Sequence, residues 1–130
     1  MLKLVRAILP ILIVMTVTTA FAQQGPQGRW WRTPKIVKAL NLTQGEIQQL
    51  DSVWENSRAK QIKLRSEVEA EQFRLQTLLE KQNLDEKAVR NQNRKLETAR
   101  SRLADERTAF VVKVRKIIGH ARFQQLVDMR

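Results

Sequence analysis

Apolar residues recur along most of this chain in steps of three and four. From Ile47 the pattern runs through Leu50, Trp54, Leu64, Val68, Leu75 and Leu78, with Ser57, Gln61 and Glu71 filling the same stripe. A stripe of that period is one face of an α-helix in a coiled-coil-like seam, here with three polar interruptions. A second stripe repeats every seven residues through Val89, Leu96, Leu103, Phe110 and Ile117, widened by Ala88, Ala99, Val114 and Ile118. The stretch between them, Gln82-Asn83-Leu84-Asp85, reads as a turn, with either Asn83 or Asp85 able to cap the helix that follows.

Local signals place the ends. Thr33-Pro34 predicts a helix start with proline at the first helical position, and a short helix over residues 34–40 ending at Asn41. Thr43-Gln44-Gly45-Glu46 fits a capping box, with Leu42 stapling onto Ile47, and opens a long helix ending near residue 81. The third helix is expected to reach about Ile118. Gly119 serves as its C-cap, and a short last helix covers about 120–127. Helices of about 35 to 38 residues span some 50 to 57 Å, and a short turn makes them antiparallel neighbours. The expected fold is therefore all-α: a long antiparallel helical hairpin with short N- and C-terminal helices. Its core is thin, so a homodimer is expected to supply further cover.

The first 22 residues stand outside this pattern. Lys3 and Arg6 precede the uncharged apolar run AILPILIVMTV, and Ala20 and Ala22 follow at the spacing of a signal-peptidase site. A cleaved signal peptide over 1–22 is expected, with cut after Ala22 and delivery to the periplasm; the apolar run is short for a membrane span. Residues 23–33 are expected to form a flexible leader and 34–130 the helical domain.

Charge and chemistry narrow the function. The chain has 24 Lys plus Arg against 13 Asp plus Glu. Such a surface attracts acidic lipid head groups, acidic protein segments or nucleic acid, and export removes nucleic acid from consideration. There is no Cys, which excludes disulfides and thiolate metal sites, and His120 is the one histidine. One imidazole beside a helix break is a weak metal candidate, and with no phosphate-cradling loop or nucleophile set, no enzyme and no cofactor are expected. Glu67, Glu69 and Glu71, flanked by Arg65 and Arg74, read as a solvated, ion-paired face. The third helix is very basic, with Arg90, Arg94, Arg100, Arg102, Arg107 and Arg115 among its cations. Trp30 and Trp31 lie between Arg29 and Arg32. They either pin the leader onto the thin core or leave one indole exposed beside the cations.

The pair Leu42-Thr43-Gln44-Gly45-Glu46 and Ile118-Gly119-His120-Ala121-Arg122, followed by Gln124-Gln125-Leu126, resembles the two LTxxQ motifs of the Spy/CpxP group of periplasmic proteins. Leu42, Thr43 and Glu46 carry the first motif, with Glu in the Gln position. The second departs further, with Gly for Thr and Arg for Gln. The resemblance covers the mature chain and implies a cradle-shaped antiparallel dimer giving ATP-independent protection to unfolded proteins. The candidate residues for contact with unfolded or acidic clients are Trp30, Trp31, Arg32, Trp54, Arg90, Arg94 and Arg102. The alternatives are a heavy-metal sensor or resistance protein and an adaptor docking on a membrane sensor. The metal-sensing branch uses a set of His, Met or Cys ligands; with one His and no Cys this sequence lacks such a set, and metal sensing is not carried over.

Overall fold

The computed structural model describes residues 28–129; the expected signal peptide lies outside them. A 3-10 turn, Trp30–Arg32, leads into three helices: α1, Pro34–Leu40; α2, Gln44–Leu79; and α3, Glu86–Asp128. No strand occurs among the described residues.

Each boundary has a chemical cause. Thr33 is extended (φ −78°, ψ 120°) ahead of Pro34, but its side chain makes no capping bond. The first turn instead hangs on its carbonyl, which accepts from the Ile36 and Val37 amides at 3.0 and 2.9 Å. Asn41 ends α1 in the left-handed conformation (φ 53°, ψ 50°). The Leu42 amide then donates to the Val37 carbonyl, and that of Asn41 to Lys38. This is a Schellman ending, with Asn in the place glycine usually takes. It turns the chain straight into the capping box of α2. The Thr43 amide donates to Glu46 Oε1 at 3.0 Å, and the Glu46 amide donates to Thr43 Oγ1 at 3.1 Å. Leu42 and Ile47 are both buried in one cluster, as the staple requires. At the far end Asp85, rather than Asn83, caps α3, its Oδ1 accepting from the Ala88 amide at 3.1 Å.

α2 and α3 form the antiparallel hairpin, with most of the tertiary contact between them. Every predicted seam residue of α2, from Ile47 to Leu78, is buried or half-buried, including Ser57, Gln61 and Glu71. On α3 the seven-residue repeat is likewise inward. One inward residue escaped the apolar pattern. Gln92 is buried and donates from Nε2 to the Glu71 carbonyl at 3.0 Å and to Glu71 Oε2 at 2.6 Å. The polar interruption at Glu71 is thus answered from the opposite helix.

The core is concentrated at the open end of the hairpin. Trp31, Leu40, Leu42, Ile47, Leu50, Val114 and Ile118 form the buried cluster, wrapped by half-buried residues that include Trp30, Trp54, Phe110 and Phe123. Toward the tip the seam alone is covered, and Phe73, Leu79 and Leu84 are exposed. Continuous with α3, Gly119 adopts φ 83°, ψ 170°. That conformation is open to glycine and strained for any other residue. It breaks the axis, so residues 120–128 return over the open end as the expected last helical segment, carrying Phe123 and Leu126 onto the core.

Candidate functional site

The leader docks through one carboxylate. Trp31 is fully buried, and its Nε1 donates to Asp51 Oδ1 at 2.7 Å. Arg32 donates to both Asp51 oxygens, from Nε at 3.3 Å and from Nη2. The Arg32 bond is the largest influence holding the Asp51 carboxyl below its usual range, against the opposing cost of desolvation; the Trp31 bond and the Arg29 charge add to it. The Asp51 bond in turn raises the Arg32 guanidinium. Trp30 stands edge-on to Trp31, with ring centroids 5.3 Å apart at 88°, and is half-buried. This resolves the two adjacent tryptophans: Trp31 is the pin and Trp30 its partly covered neighbour. Trp31, expected among the contact residues, offers no surface to a partner. Arg32 is spent on Asp51, although its side chain stays exposed.

Trp54 is half-buried on α2 and carries two cations. The Arg29 guanidinium lies 4.0 Å from the ring centroid and that of Arg58 5.1 Å. Both are within cation–π range. Beside this stack, α2 and α3 leave a groove of about 460 Å³ whose lining includes Trp54, Phe110, Arg58, Arg65 and Arg107. The basic residues expected to act with Trp54 lie elsewhere. Arg90 pairs with Glu86 at 3.5 Å, and Arg94 donates to Asn91 at 3.2 Å. Arg94 and Arg102 line a separate groove of about 360 Å³ that also holds Glu67 and Glu71. The fold therefore places Arg58, Arg65 and Arg107 along the groove that Trp54 lines, in place of Arg90, Arg94 and Arg102. A signal was present in the sequence, since Arg58 and Arg65 follow Trp54 by four and eleven residues, along the edge of the seam. Of the three glutamates expected to form an ion-paired face, Glu71 pairs with Arg74, whereas Arg65 turns to the groove.

The two motif copies meet. Arg122 donates from Nη1 to Glu46 Oε1 at 2.9 Å and from Nη2 to Oε2, while its Nε donates to the Ile118 carbonyl at 2.8 Å. The bond from Arg122, aided by the Thr43 amide, holds the Glu46 carboxyl down at about 2 against partial desolvation; the same bond raises Arg122. The departures from the LTxxQ pattern are therefore complementary. Glu stands for Gln in the first copy and Arg for Gln in the second, and together they make a bidentate ion pair between helix α2 and the terminal segment.

The heavy-metal resistance family matches residues 7–125. The chain belongs to that family. That family belongs to the Spy/CpxP-like LTxxQ helical superfamily, with which the paired motifs and the hairpin agree. No curated protein and no solved structure matches it.

The family's description raises metal binding, and the donor set can be judged directly. His120 is exposed at the Gly119 break. Among the described residues no three His, Asp or Glu side chains cluster closely enough to hold an ion, and the chain has no Cys. Soft metals select thiolate, thioether and imidazole donors. The residues present do not fit such a site. Among the described residues no helix is long and apolar enough to cross a membrane.

Proposed function

We propose that this chain is an exported, non-catalytic holding protein that captures unfolded or acidic polypeptides reversibly and without ATP, working in the periplasm as a homodimer. The observation that carries this reading is a hairpin with large apolar side chains left open on a surface of positive charge. Ile62, Phe73, Leu79, Leu84, Val111 and Val112 are each 46 to 69% exposed. Val111 and Val112 lie among the cations of α3, which carries eleven Lys and Arg against five Asp and Glu. Long-range charge speeds capture of acidic chains, and scattered apolar contacts then hold them weakly enough to let go. Trp30, Trp54, Arg90, Arg94 and Arg102 are available to such contacts; Trp31 is not.

A role in metal resistance is compatible with this reading, because holding metal-damaged proteins needs no ligands of its own. The test is light scattering of a chemically denatured client diluted into buffer. Suppression at stoichiometric amounts that weakens as salt rises supports the proposal; no suppression at any ratio refutes it. The family match favours a second reading, direct metal binding. Calorimetry with zinc, copper and nickel separates the two. No binding tighter than about 10 µM is expected, because one imidazole cannot complete a coordination shell; tighter binding, lost in His120→Ala, would establish the metal reading.

A further inference from the structure

The groove beside Trp54 is bounded, and it takes in Ile62 and Val111 from the apolar surface invoked for client capture. Trp54 and Phe110 form its half-buried aromatic part, and Ile62 and Val111 line it at 54 and 48% exposure. Arg58, Arg65 and Arg107 supply its charge, and no acidic residue lines it. None of these three arginines joins an ion pair among the described residues. Its volume of about 460 Å³ falls within the range of roughly 300–1,000 Å³ typical of small-molecule sites.

The antiparallel helices sort these groups along the groove. On α2, Arg65 follows Trp54 by eleven residues, about 16 Å along the axis toward the hairpin tip. On α3, which runs the other way, Arg107 precedes Phe110 and so lies on the tip side of it. Arg58 stacks on Trp54 and Arg107 stands about one turn from Phe110, so these cations flank the rings, with Arg65 furthest toward the tip. A second copy seated here by two-fold symmetry would set the guanidinium cluster against itself, which like-charge repulsion opposes. An occupant with an anionic head and an apolar body satisfies the guanidinium groups and the apolar lining at once. Guanidinium forks suit carboxylate and phosphate oxygens alike.

We infer that this groove is a binding site for a single-chain amphiphilic anion, its head group between Arg65 and Arg107 and its acyl chain against Ile62, Phe110 and Val111. The site takes one molecule per chain, and its occupancy does not require that the hairpin also hold unfolded clients, although both uses share Ile62, Val111 and Trp54.

Titration calorimetry on the purified protein, with dodecanoate and dodecyl phosphate each kept below its aggregation concentration, tests this. The expected result is saturable binding of one molecule per chain. It is accompanied by a change in indole fluorescence that Trp54→Phe removes. The two anions distinguish a carboxylate from a phosphate head group, and tight binding of either supports the site. Neutral dodecyl maltoside and acetate are expected not to bind. The double variant Arg65→Glu/Arg107→Glu should weaken binding at least about 10-fold, because both head-group contacts are lost. Lys38→Glu/Lys60→Glu changes the net charge equally away from the groove and should weaken it less than about 2-fold, as expected of screened distant charge. These side chains are exposed, so both variants should keep wild-type helicity. If the Glu double loses helicity, Arg65→Gln/Arg107→Gln serves, with the same loss expected. Equal weakening in the two doubles, many unsaturable sites per chain, or tighter binding of an acidic peptide without an acyl chain would overturn the inference. Client protection by the same variants is read separately, so either proposal can fail alone.

Discussion

Replacing Glu46 by Gln isolates the ion pair that ties the first motif to the second. In the wild-type protein the Glu46 carboxyl is held at about 2, from an ordinary 4.5. Because the folded-state value is depressed, this stabilisation is complete above about pH 4.5 and is lost as the pH falls toward 2. The displacement corresponds to at most about 3 kcal/mol. The Glu46 and Arg122 side chains keep 18 and 27% of their surface in water, and that hydration reduces the contribution to about 2 kcal/mol. Urea unfolding followed by circular dichroism at 222 nm, from pH 7 down to pH 2, measures it. The expectation is that Glu46→Gln is less stable by about 2 kcal/mol at neutral pH and converges on the wild type near pH 2. Asp51 also loses stability in acid, but it does so in both proteins and cancels in the difference. Arg122→Gln should cost a similar amount, since it leaves a half-buried carboxylate without its partner. The double variant Glu46→Gln/Arg122→Gln puts the motif glutamine at both positions. It should be more stable than the sum of the singles predicts, by about 1 to 2 kcal/mol. Stability differences that stay constant from pH 7 to pH 2, or singles that simply add, would show that the pair contributes nothing and would refute the reasoning.

Three further outcomes are expected. Trp31→Ala removes a fully buried indole from the core cluster and should cost about 3 to 5 kcal/mol, readable as a lowered urea midpoint; a loss under about 1 kcal/mol would mean the leader does not dock. Asp51→Ala should cost about 1 to 3 kcal/mol by stranding the buried Trp31 Nε1–H, whereas Asp51→Asn, which keeps an acceptor, should cost less than about half of that; equal losses would assign the effect to charge. Gly119→Ala meets nothing within 4 Å of the new Cβ, so only the backbone conformation penalises it, by about 1 to 3 kcal/mol in thermal or urea unfolding; a neutral result would show that the break at 119 does not persist in solution.

Most of the architecture was legible in the residue pattern. Helical period, the Thr43–Glu46 capping box, the Leu42–Ile47 staple and the glycine at 119 are local features, decided by residues within a few positions of one another. Their outcomes follow from short-range sterics and hydrogen bonding, so the sequence by itself determined the hairpin, its boundaries and its inward faces. Other features depended on which residues from distant parts of the chain come to the same level. Gln92 looks like a break in an apolar repeat until Glu71 arrives opposite it. Glu46 and Arg122 look like two imperfect motif copies until the turn at Gly119 sets them against each other. Trp31 was not distinguishable from Trp30 by composition, since the choice depends on which indole reaches Asp51. The arginines that line the groove beside Trp54 come from both long helices, so the axial register of the hairpin selected Arg58, Arg65 and Arg107 over the cations that were more prominent in the sequence. Local rules specify helices and their faces. Only packing one helix against another fixes which charges, rings and carboxylates share a site.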